Sequence, residues 1–424
     1  MSPFLERGIE IDQLPAYTSR SLVRPGTAVV GAETKDNAED IRASHGHLRQ
    51  IDIGADQLVL APGSSITKSL VSENDSLAQV KMSLDSGRPL SLFTPRLPFL
   101  VRQVLGLRFR DTVAINPWLA EQFDHKLLAR HLPGVGQLFS PWQKMRTDPP
   151  QFKRLFDLVL EQAAVVLETN SVMLKDPGAD GGESNLLVGP ETDPAELSTF
   201  LAKHGHKTLV LEAAYPARQF KMTEISAQVA VGANSWSLEA LTEQITENNA
   251  HRGNIGMLGH RLVDKQTYQA ILRVITPICQ LAVARGLGKG LTRTIGIDML
   301  VIRQAGQIYV FVIEINARST AAVYLCAVAQ QMAPRFGGQI CVIMEIDKIP
   351  EGMRRQDLLE HRIDGMLCDG TDKPSIIPGM PGCSGKALLF FLGKDRDQAE
   401  GIRYRYHDRL RLIGARRGRI SFSG

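Results

Sequence analysis

Little in this sequence marks a specialised environment. The 424 residues include only five cysteines, and no two of them have the CxxC spacing. A disulfide framework and a structural zinc site are therefore both disfavoured. The formal net charge is only +4, which gives no indication of nucleic-acid binding. We expect a protein of the reducing cytoplasm that has no nucleic-acid partner.

Long apolar runs are also missing. The chain starts with MSPFLERGIEIDQLP, which has acidic residues and no apolar block and so differs from a secretory signal. No run approaches the roughly 18 apolar residues that span a bilayer. The nearest, TAAVYLCAVAQQMAP, ends in glutamines and a proline and is typical of a buried helix. We expect no membrane association.

The sequence divides into three parts and mixes helix and strand patterns. Residues 1–118 alternate short apolar runs with polar stretches, which predicts a small N-terminal α/β domain. A core of amphipathic helices and apolar strands follows at 119–345. Residues 346–424 are richer in glycine and arginine, and we expect most of these basic side chains on a solvated surface. The fold class is therefore α/β, of the α+β type.

The middle part has the clearest element signals. Helices are predicted in AEQFDHKLLARHL, PPQFKRLFDLVLEQAAVVLE and DPAELSTFLAKHG, and further helices between 237 and 285. Strands are predicted in SVMLK, NLLVG, TLVLEAAY and EISAQVAVG. The last two strands, TIGIDMLVI and QIYVFVIEINAR, are joined by RQAGQ, which indicates an antiparallel hairpin.

Polar side chains interrupt one face of the second hairpin strand. Glu314, Asn316 and Arg318 alternate with apolar residues, so they share a face. If the turn centres on Gly306, Asp298 lies directly opposite Glu314, where like charges are destabilising. Two carboxylates and an amide oxygen suit a hard cation such as Mg²⁺ or Mn²⁺. The alternative is a solvent-facing group of acids with Arg318 as their salt-bridge partner.

A lysine and a glycine-rich turn suggest where phosphates would bind. Lys175 ends the strand SVMLK directly before DPGADGG. A cation beneath a loop with free N–H groups suits a polyphosphate, although a solvated strand end and a plain hairpin connection have the same sequence pattern. The stretch matches neither the P-loop nor the GxGxxG pattern. Glu212, in TLVLEAAY, would place an acid and free backbone groups of Ala213 and Ala214 against an adenine edge, or would be a surface glutamate.

Taken in order, these stretches resemble the ATP-grasp superfamily of ligases. They are DHKLLARHL, VMLKDPGADGGESNLLV, LVLEAAY, GIDMLVI and FVIEINARST, and the closest likeness is EINAR with GID about fifteen residues upstream. The resemblance covers about 119–345. It implies a two-lobed core, with a smaller lobe at 119–210 that carries a glycine-rich flap and a larger lobe at 211–345 that carries the metal site.

The resemblance also assigns roles to the polar residues of the core. It implies that Lys126 and Lys175 contact the phosphates of ATP and that Gly181 and Gly182 lie in the flap. Glu212 and the Ala214 backbone would contact adenine, and Glu224 would contact the ribose. Asp298, Glu314 and Asn316 would coordinate Mg²⁺ or Mn²⁺, and Arg318, with Lys175, would be catalytic at the transferred phosphoryl group.

The resemblance implies ATP-dependent ligation of a carboxylate to an amine, through an acyl phosphate and with release of ADP and phosphate. The flanking domains are similar in layout to pheganomycin-type peptide ligases, which implies amino acid or peptide substrates, and family members are often homodimers. Arg252, in ENNAHRGNIG, would hold a substrate carboxylate unless this stretch is an ordinary polar connection between helices. Two alternatives stay open: a non-catalytic ATP-binding sensor or scaffold, and a biotin-dependent carboxylase subunit.

Overall fold

The computed structural model describes a set of chain segments that share one mixed architecture. These are residues 28–33, 38–62, 78, 117–146, 149–177, 185–205, 207–247, 250–259, 261–288, 293–318, 320–349, 355–381 and 386–420. Helices alternate with strands, and the pairs between named strands are antiparallel except for one parallel pair near the N-terminus. The α+β class predicted from the sequence is confirmed.

The α-helices of these segments are mostly amphipathic. They are α1 (Ala38–Gln50), α2 (Pro117–Asp124), α3 (Lys126–Arg130), α4 (Pro149–Val166), α5 (Pro194–Lys203), α6 (Lys265–Ala284), α7 (Ala321–Met332), α8 (Arg355–Leu358) and α9 (Arg396–Ile420).

The strands lie between and around these helices. They are β1 (Ala28–Glu33), β2 (Gln57–Pro62), β3 (Trp142–Arg146), β4 (Ser171–Lys175), β5 (Asn185–Val188), β6 (Thr208–Ala214), β7 (Lys221–Val231), β8 (Trp236–Glu247), β9 (Ala250–Leu258), β10 (Arg293–Gln304), β11 (Gln307–Asn316), β12 (Ile340–Lys348), β13 (Ser375–Pro381) and β14 (Lys386–Gly393).

The chain folds into two compact units. One comprises the described residues within Met1–Ala114, Arg252–Leu262 and Ser319–Gly424, and the other those within Ile115–His251 and Val263–Arg318. In the first unit, β12 runs across residue 345, where a boundary between core and extension was predicted, and it pairs with β14. The two sides of that boundary therefore share a sheet. The predicted boundary at 118 stays a prediction.

The unit within Ile115–His251 and Val263–Arg318 contains the predicted site residues of the hairpin and the lysines. Its smaller sheet has the strand order β3-β6-β4-β5, and α4 packs on it through buried residues such as Val159 and Ala163. Its other strands are ordered β11-β10-β7-β8, with α6 packed against β7, β8 and β11. Because β6 is flanked by β3 and β4, its side chains lie in the middle of a sheet.

The other unit is built around a second set of antiparallel strands. They are ordered β9-β12-β14-β13, with α7 and α9 packed on β12. The pair β1 and β2 is parallel. The predicted buried helix in TAAVYLCAVAQQMAP is confirmed as α7, since Tyr324, Leu325 and Val328 are buried.

The β10–β11 hairpin has a tight turn and an irregular register. Gln304 pairs with Gln307, so the turn is the two residues Ala305 and Gly306, which have φ of 49° and 77°. Beyond it, Met299 pairs with Val312 while Asp298 pairs with Glu314, which leaves Ile313 as an extra residue in a β-bulge. The centre of the turn thus lies between Ala305 and Gly306, half a residue before the predicted centre at Gly306. The bulge offsets this difference, and the predicted pairing of Asp298 with Glu314 is confirmed.

One sequence-based expectation for this region is wrong. Helices were expected between 237 and 285, but β8 and β9 occupy 236–247 and 250–258, and the helix described in this range is α6. The stretch WSLEALTEQITE is rich in the helix formers leucine, alanine and glutamate. Pairing of β8 with the preceding strand β7, which itself pairs with the distant strand β10, supplies backbone and side-chain partners, and these override local propensity.

Helix α6 is long and apolar enough to cross a membrane, judged by length and composition alone. Its buried side chains lie along one face, among them Ile271, Ile275 and Ile278. This face packs against β7 and β11. Core helices of globular proteins pass the same test, so this property by itself does not indicate a membrane span.

The arginine-rich C-terminal stretch is a helix that packs on its unit. In α9, Tyr406 is fully buried and its hydroxyl donates to Asp347 at 2.7 Å. Arg403 donates to Glu345 at 2.6 Å. A solvated surface was expected for most of the basic side chains; Arg405 is exposed, whereas Arg403 is half-buried and ion-paired.

Candidate active site

The opposed carboxylates lie in a polar setting within the β10–β11 pair. Asp298 accepts hydrogen bonds from the hydroxyl of Ser226 at 2.5 Å and from the side-chain amide of Asn316 at 2.9 Å, and it also interacts with the side chain of Gln244. Gln228 in turn donates to Ser226 at 2.9 Å. Glu314 faces Asp298 and is partly exposed. The alternation predicted for β11 thus brings Asp298, Glu314 and Asn316 together.

The pKa of Asp298 is affected by burial and by the neighbouring acid Glu314. Burial raises its pKa to about 6, the hydrogen bond from Ser226 opposes this rise, and the charge of Glu314 adds to it. Arg318 is close enough to lower this pKa somewhat. A positive charge between the two carboxylates would relieve their repulsion.

The donor set fits a magnesium-like cation that shares its remaining positions with water or phosphate. Mg²⁺ is typically bound through one or two carboxylates together with substrate phosphates. This agrees with the lack of any cluster of three His, Cys, Asp or Glu residues in the described part of the chain. Asp298 and Glu314 would hold the ion. Asn316 would contribute its oxygen only after its amide turns over, because its nitrogen now faces Asp298.

Lys126 lies beside this carboxylate pair. It is the first residue of α3, it is buried, and its ammonium nitrogen is 3.8 Å from the Glu314 carboxylate. The predicted helix over 120–132 is interrupted at His125, which caps α3 by accepting from the Leu128 amide. This break starts a new helix at Lys126 and places the lysine at its N-terminal end.

A second buried group of charges surrounds Glu212. Lys175, at the end of β4, contacts one carboxylate oxygen of Glu212, and Arg130, in α3, contacts the other. All three residues are buried. Sequence reasoning identified Lys175 and Glu212 but missed Arg130, whose signal was its position four residues after Lys126, one helical turn along α3.

The pKa shifts in this group show that the two cations outweigh the effect of burial on Glu212. Burial alone would raise the pKa of Glu212, but Arg130 and Lys175 outweigh burial and hold it below its usual value. Burial lowers the pKa of Lys175, and Glu212 offsets this only in part. Glu212 is therefore ionised. Because its side chain is buried, the alternative of a surface glutamate is excluded.

The adenine and ribose assignments are placed only in part. The backbone groups expected to be free near Glu212 are engaged, since the Ala213 N–H donates to Pro141 at 2.8 Å and the Ala214 carbonyl accepts from Thr169 at 2.6 Å. Glu224, in β7, lies near enough to Lys175 for that lysine to lower its pKa, although burial raises it overall. Glu224 therefore belongs to the surroundings of the lysine.

Arg318 follows the end of β11 and pairs with an acid that the sequence did not single out. Its Nε is 3.8 Å from Asp124, and the same carboxylate accepts from the Ala317 N–H at 2.7 Å. Asp124, the last residue of α2, thus ties the backbone and the guanidinium at the end of β11 to the helix that precedes Lys126. Its sequence signal was its place two residues before that lysine.

The remaining predicted residues are elsewhere. Gly181 and Gly182 lie outside the described residues. Arg252 lies in β9, so the expected polar connection between helices is a strand, and it belongs to the unit that does not contain the other site residues.

Comparison by sequence gives no relative: no family model matches the chain, and no curated protein matches it. Similarity to solved structures shows the ATP-grasp type of fold that the sequence predicted. The chain is similar to the ADP complex of purK, an N5-carboxyaminoimidazole ribonucleotide synthetase, with a TM-score of 0.53 and 11% identity over 91% of this chain and 98% of that one.

Two further structures have the same fold. N5-carboxyaminoimidazole synthase from Aspergillus clavatus, in complex with ADP and an aminoimidazole ribonucleotide, has a TM-score of 0.55 and 14% identity over 91% of this chain and 99% of that chain. Biotin carboxylase from Campylobacter jejuni has a TM-score of 0.54 and 12% identity over 92% and 86%. At such low identity the likeness shows the fold alone.

Proposed function

We propose that this protein is an ATP- and Mg²⁺-dependent ligase that joins a carboxylate to an amine through an acyl phosphate and releases ADP and phosphate. The observation that carries the proposal is the direct opposition of Asp298 and Glu314, with Lys126 3.8 Å from Glu314. Two carboxylates so placed repel each other unless a cation joins them. The ADP and ATP complexes of similar structures support a nucleotide as the ligand.

The charges of the unit suit phosphoryl transfer, which depends on positioning and charge neutralisation more than on covalent chemistry. Lys126 and Lys175 are buried cations in the same unit as the carboxylates. We assign them to the phosphates of ATP, and Arg318 to the phosphoryl group in transfer. Bound at Asp298 and Glu314, Mg²⁺ would neutralise phosphate charge.

Two other assignments complete the proposal. Residues 178–182, which include Gly181 and Gly182, would cover the reacting groups and exclude water, because an acyl phosphate hydrolyses readily. Glu224 and Ala214 would contact the nucleoside. We further propose a cytoplasmic homodimer that acts on small molecules, with an amino acid or a peptide as a substrate.

A second candidate differs in the acid that is activated. The names of the similar structures, carboxyaminoimidazole ribonucleotide synthetase and biotin carboxylase, denote carboxylation. Bicarbonate would then take the place of an organic carboxylate. Both candidates use the same nucleotide and metal site, so substrate dependence distinguishes them.

The test is phosphate release by purified protein with ATP, Mg²⁺ and pooled acids and amines, with product masses recorded. We expect ADP and phosphate, dependent on an added acid; AMP and pyrophosphate would overturn the acyl-phosphate route. Incorporation of labelled bicarbonate would select the second candidate. Nucleotide binding without turnover under any of these conditions would favour the sensor or scaffold alternative.

The matched variants are Glu314→Gln and, as control, Glu239→Gln, which changes an exposed glutamate in β8 of the same unit. We expect loss of turnover only for Glu314→Gln, with both proteins folded. Retained turnover would contradict the metal site.

A further inference from the structure

Glu212 holds two cations at once, and they are anchored very differently. Arg130 donates from one guanidinium nitrogen to the Lys126 carbonyl at 2.6 Å and from another to Glu212. Its guanidinium carbon lies 4.1 Å from the centre of the Phe139 ring, a favourable cation–π distance. Its side chain has no exposed surface. Arg130 is therefore fixed by contacts other than Glu212.

Phe139 is itself tied to the metal-binding hairpin. Its backbone forms a bridge with Val312, which precedes the bulge and Glu314 in β11. The ring that supports Arg130 is thus attached to the strand that carries the proposed metal ligand.

Among the residues that the structure describes, Lys175 has no comparable anchor. Its ammonium group contacts Glu212, and it ends the strand β4. A lysine has three rotatable donors on a flexible stem, whereas the arginine fork is rigid and permanently charged. Of the two cations on Glu212, Lys175 is the one that can move.

The proposed function requires Lys175 to bind phosphate, and this has an electrostatic cost. When Lys175 turns to a phosphate, Glu212 loses one of its two counter-ions while it stays buried. A buried carboxylate left without a partner is destabilised by several kcal/mol. With Arg130 in place, Glu212 keeps one counter-ion throughout.

We propose that Arg130 is a positioning residue that keeps Glu212 neutralised, so that Lys175 is released to the phosphates of the nucleotide. This inference rests on the proposed function. Without Arg130, Lys175 would be the only cation on Glu212 and would be retained there in competition with the nucleotide.

The experiment measures binding of ADP with Mg²⁺ by calorimetry to four proteins: wild type, Arg130→Gln, Arg130→Gln/Glu212→Gln and Arg130→Lys. Arg130→Gln should bind about tenfold more weakly. The double variant, which also removes the carboxylate that retains Lys175, should recover to within about threefold of wild type. Arg130→Lys keeps a cation but loses the fork that also holds the Lys126 carbonyl, so its binding should lie between wild type and Arg130→Gln.

The controls separate this role from a structural one. Arg218→Gln removes an exposed arginine that pairs with Glu191 in the same unit, and it should leave binding unchanged. Thermal unfolding is recorded for each variant, and Arg130→Met with its Glu212→Gln partner replaces the pair if Arg130→Gln does not fold.

The outcomes are distinct. Unchanged binding by Arg130→Gln, or a double variant as weak as the single one, overturns the inference, the latter because Arg130 would then act on the nucleotide or on folding directly. Absence of ADP binding by the wild type instead overturns the proposed function.

Discussion

Asp298 and Glu314 face each other across β10 and β11 because Ile313 is an extra residue in the bulge between them and the turn. Without the bulge, the regular pairing from the turn would place Ile313 opposite Asp298. The irregularity therefore creates the like-charge contact on which the proposed metal site depends.

This contact should lower the stability of the metal-free protein. Asp298→Asn removes one of the two opposed charges and keeps one oxygen that can accept from Ser226, while its new amide nitrogen can donate to Asn316 once the Asn316 amide turns over. We expect an increase in the free energy of unfolding of about 1 kcal/mol in EDTA. Thermal unfolding with and without Mg²⁺ checks this, since Mg²⁺ should stabilise the wild type and leave Asp298→Asn unchanged. Equal stabilisation of both proteins by Mg²⁺ would refute the site.

Lys126 should contribute to nucleotide affinity more than to turnover. Lys126→Met removes a buried cation next to Glu314, and we expect binding of ADP with Mg²⁺ to weaken by about tenfold. The control is Lys144→Met, which changes an exposed lysine in β3. If both variants bind alike, Lys126 does not contact phosphate.

Arg318 and Asp124 should affect turnover to different degrees. Removal of a group that stabilises transition-state charge costs about 10²- to 10³-fold in kcat, which we expect for Arg318→Met. Asp124→Asn keeps an acceptor for the Ala317 N–H but loses the charge near Arg318. We expect about a tenfold lower kcat from misplacement of the guanidinium. Steady-state kinetics with saturating ATP measure both effects. If Arg318→Met keeps the kcat of the wild type, Arg318 does not act on the phosphoryl group.

Stability of the other unit should depend on pH through Glu345. Burial would raise the pKa of Glu345, but His407 and Arg403 outweigh burial and lower it. The folded state thus binds a proton less readily than the unfolded state. The ionised carboxylate contributes stability that is present above the unfolded pKa of about 4.5 and is lost as the pH falls through the lowered folded value.

The corresponding variant is Glu345→Gln, which removes the charged partner that Arg403 and His407 share and leaves Arg403 with Glu400. We expect a loss of about 2 kcal/mol in the free energy of unfolding at pH 7. Denaturant unfolding at pH 7, 5, 4 and 3 should show a similar loss at pH 7 and 5 and a smaller one at pH 4 and 3, below the unfolded pKa. A loss that does not change with pH would mean that packing, and not the ion pair, is responsible.

The parts of the site that could be predicted from the sequence depend on local pattern. Alternation along β11 identifies Glu314 and Asn316 as neighbours on one face, and the turn-forming stretch before it predicts the hairpin. Both are properties of adjacent residues, whose geometry repeats every two positions.

The missed parts depend on contacts between distant segments. Arg130 resembles an ordinary helix-surface arginine until β6 brings Glu212 against it. Glu212 resembles a strand end until β3 and β4 flank β6 on both sides. Likewise, β8 has a helix-forming composition and becomes a strand by pairing with β7, which is itself held by the distant strand β10. Such pairings are set by the whole fold, which one stretch of sequence does not reveal.

The turn of the hairpin offers a route to a sturdier protein for laboratory use. Ala305 has a left-handed backbone, which is unfavourable for alanine, and it precedes Gly306. Asn-Gly is the dipeptide that two-residue hairpins of this kind prefer. Ala305→Asn would therefore favour hairpin closure at a position outside the chemistry, and crystallographers and protein engineers would have a stabilised background in which to introduce the disabling substitutions.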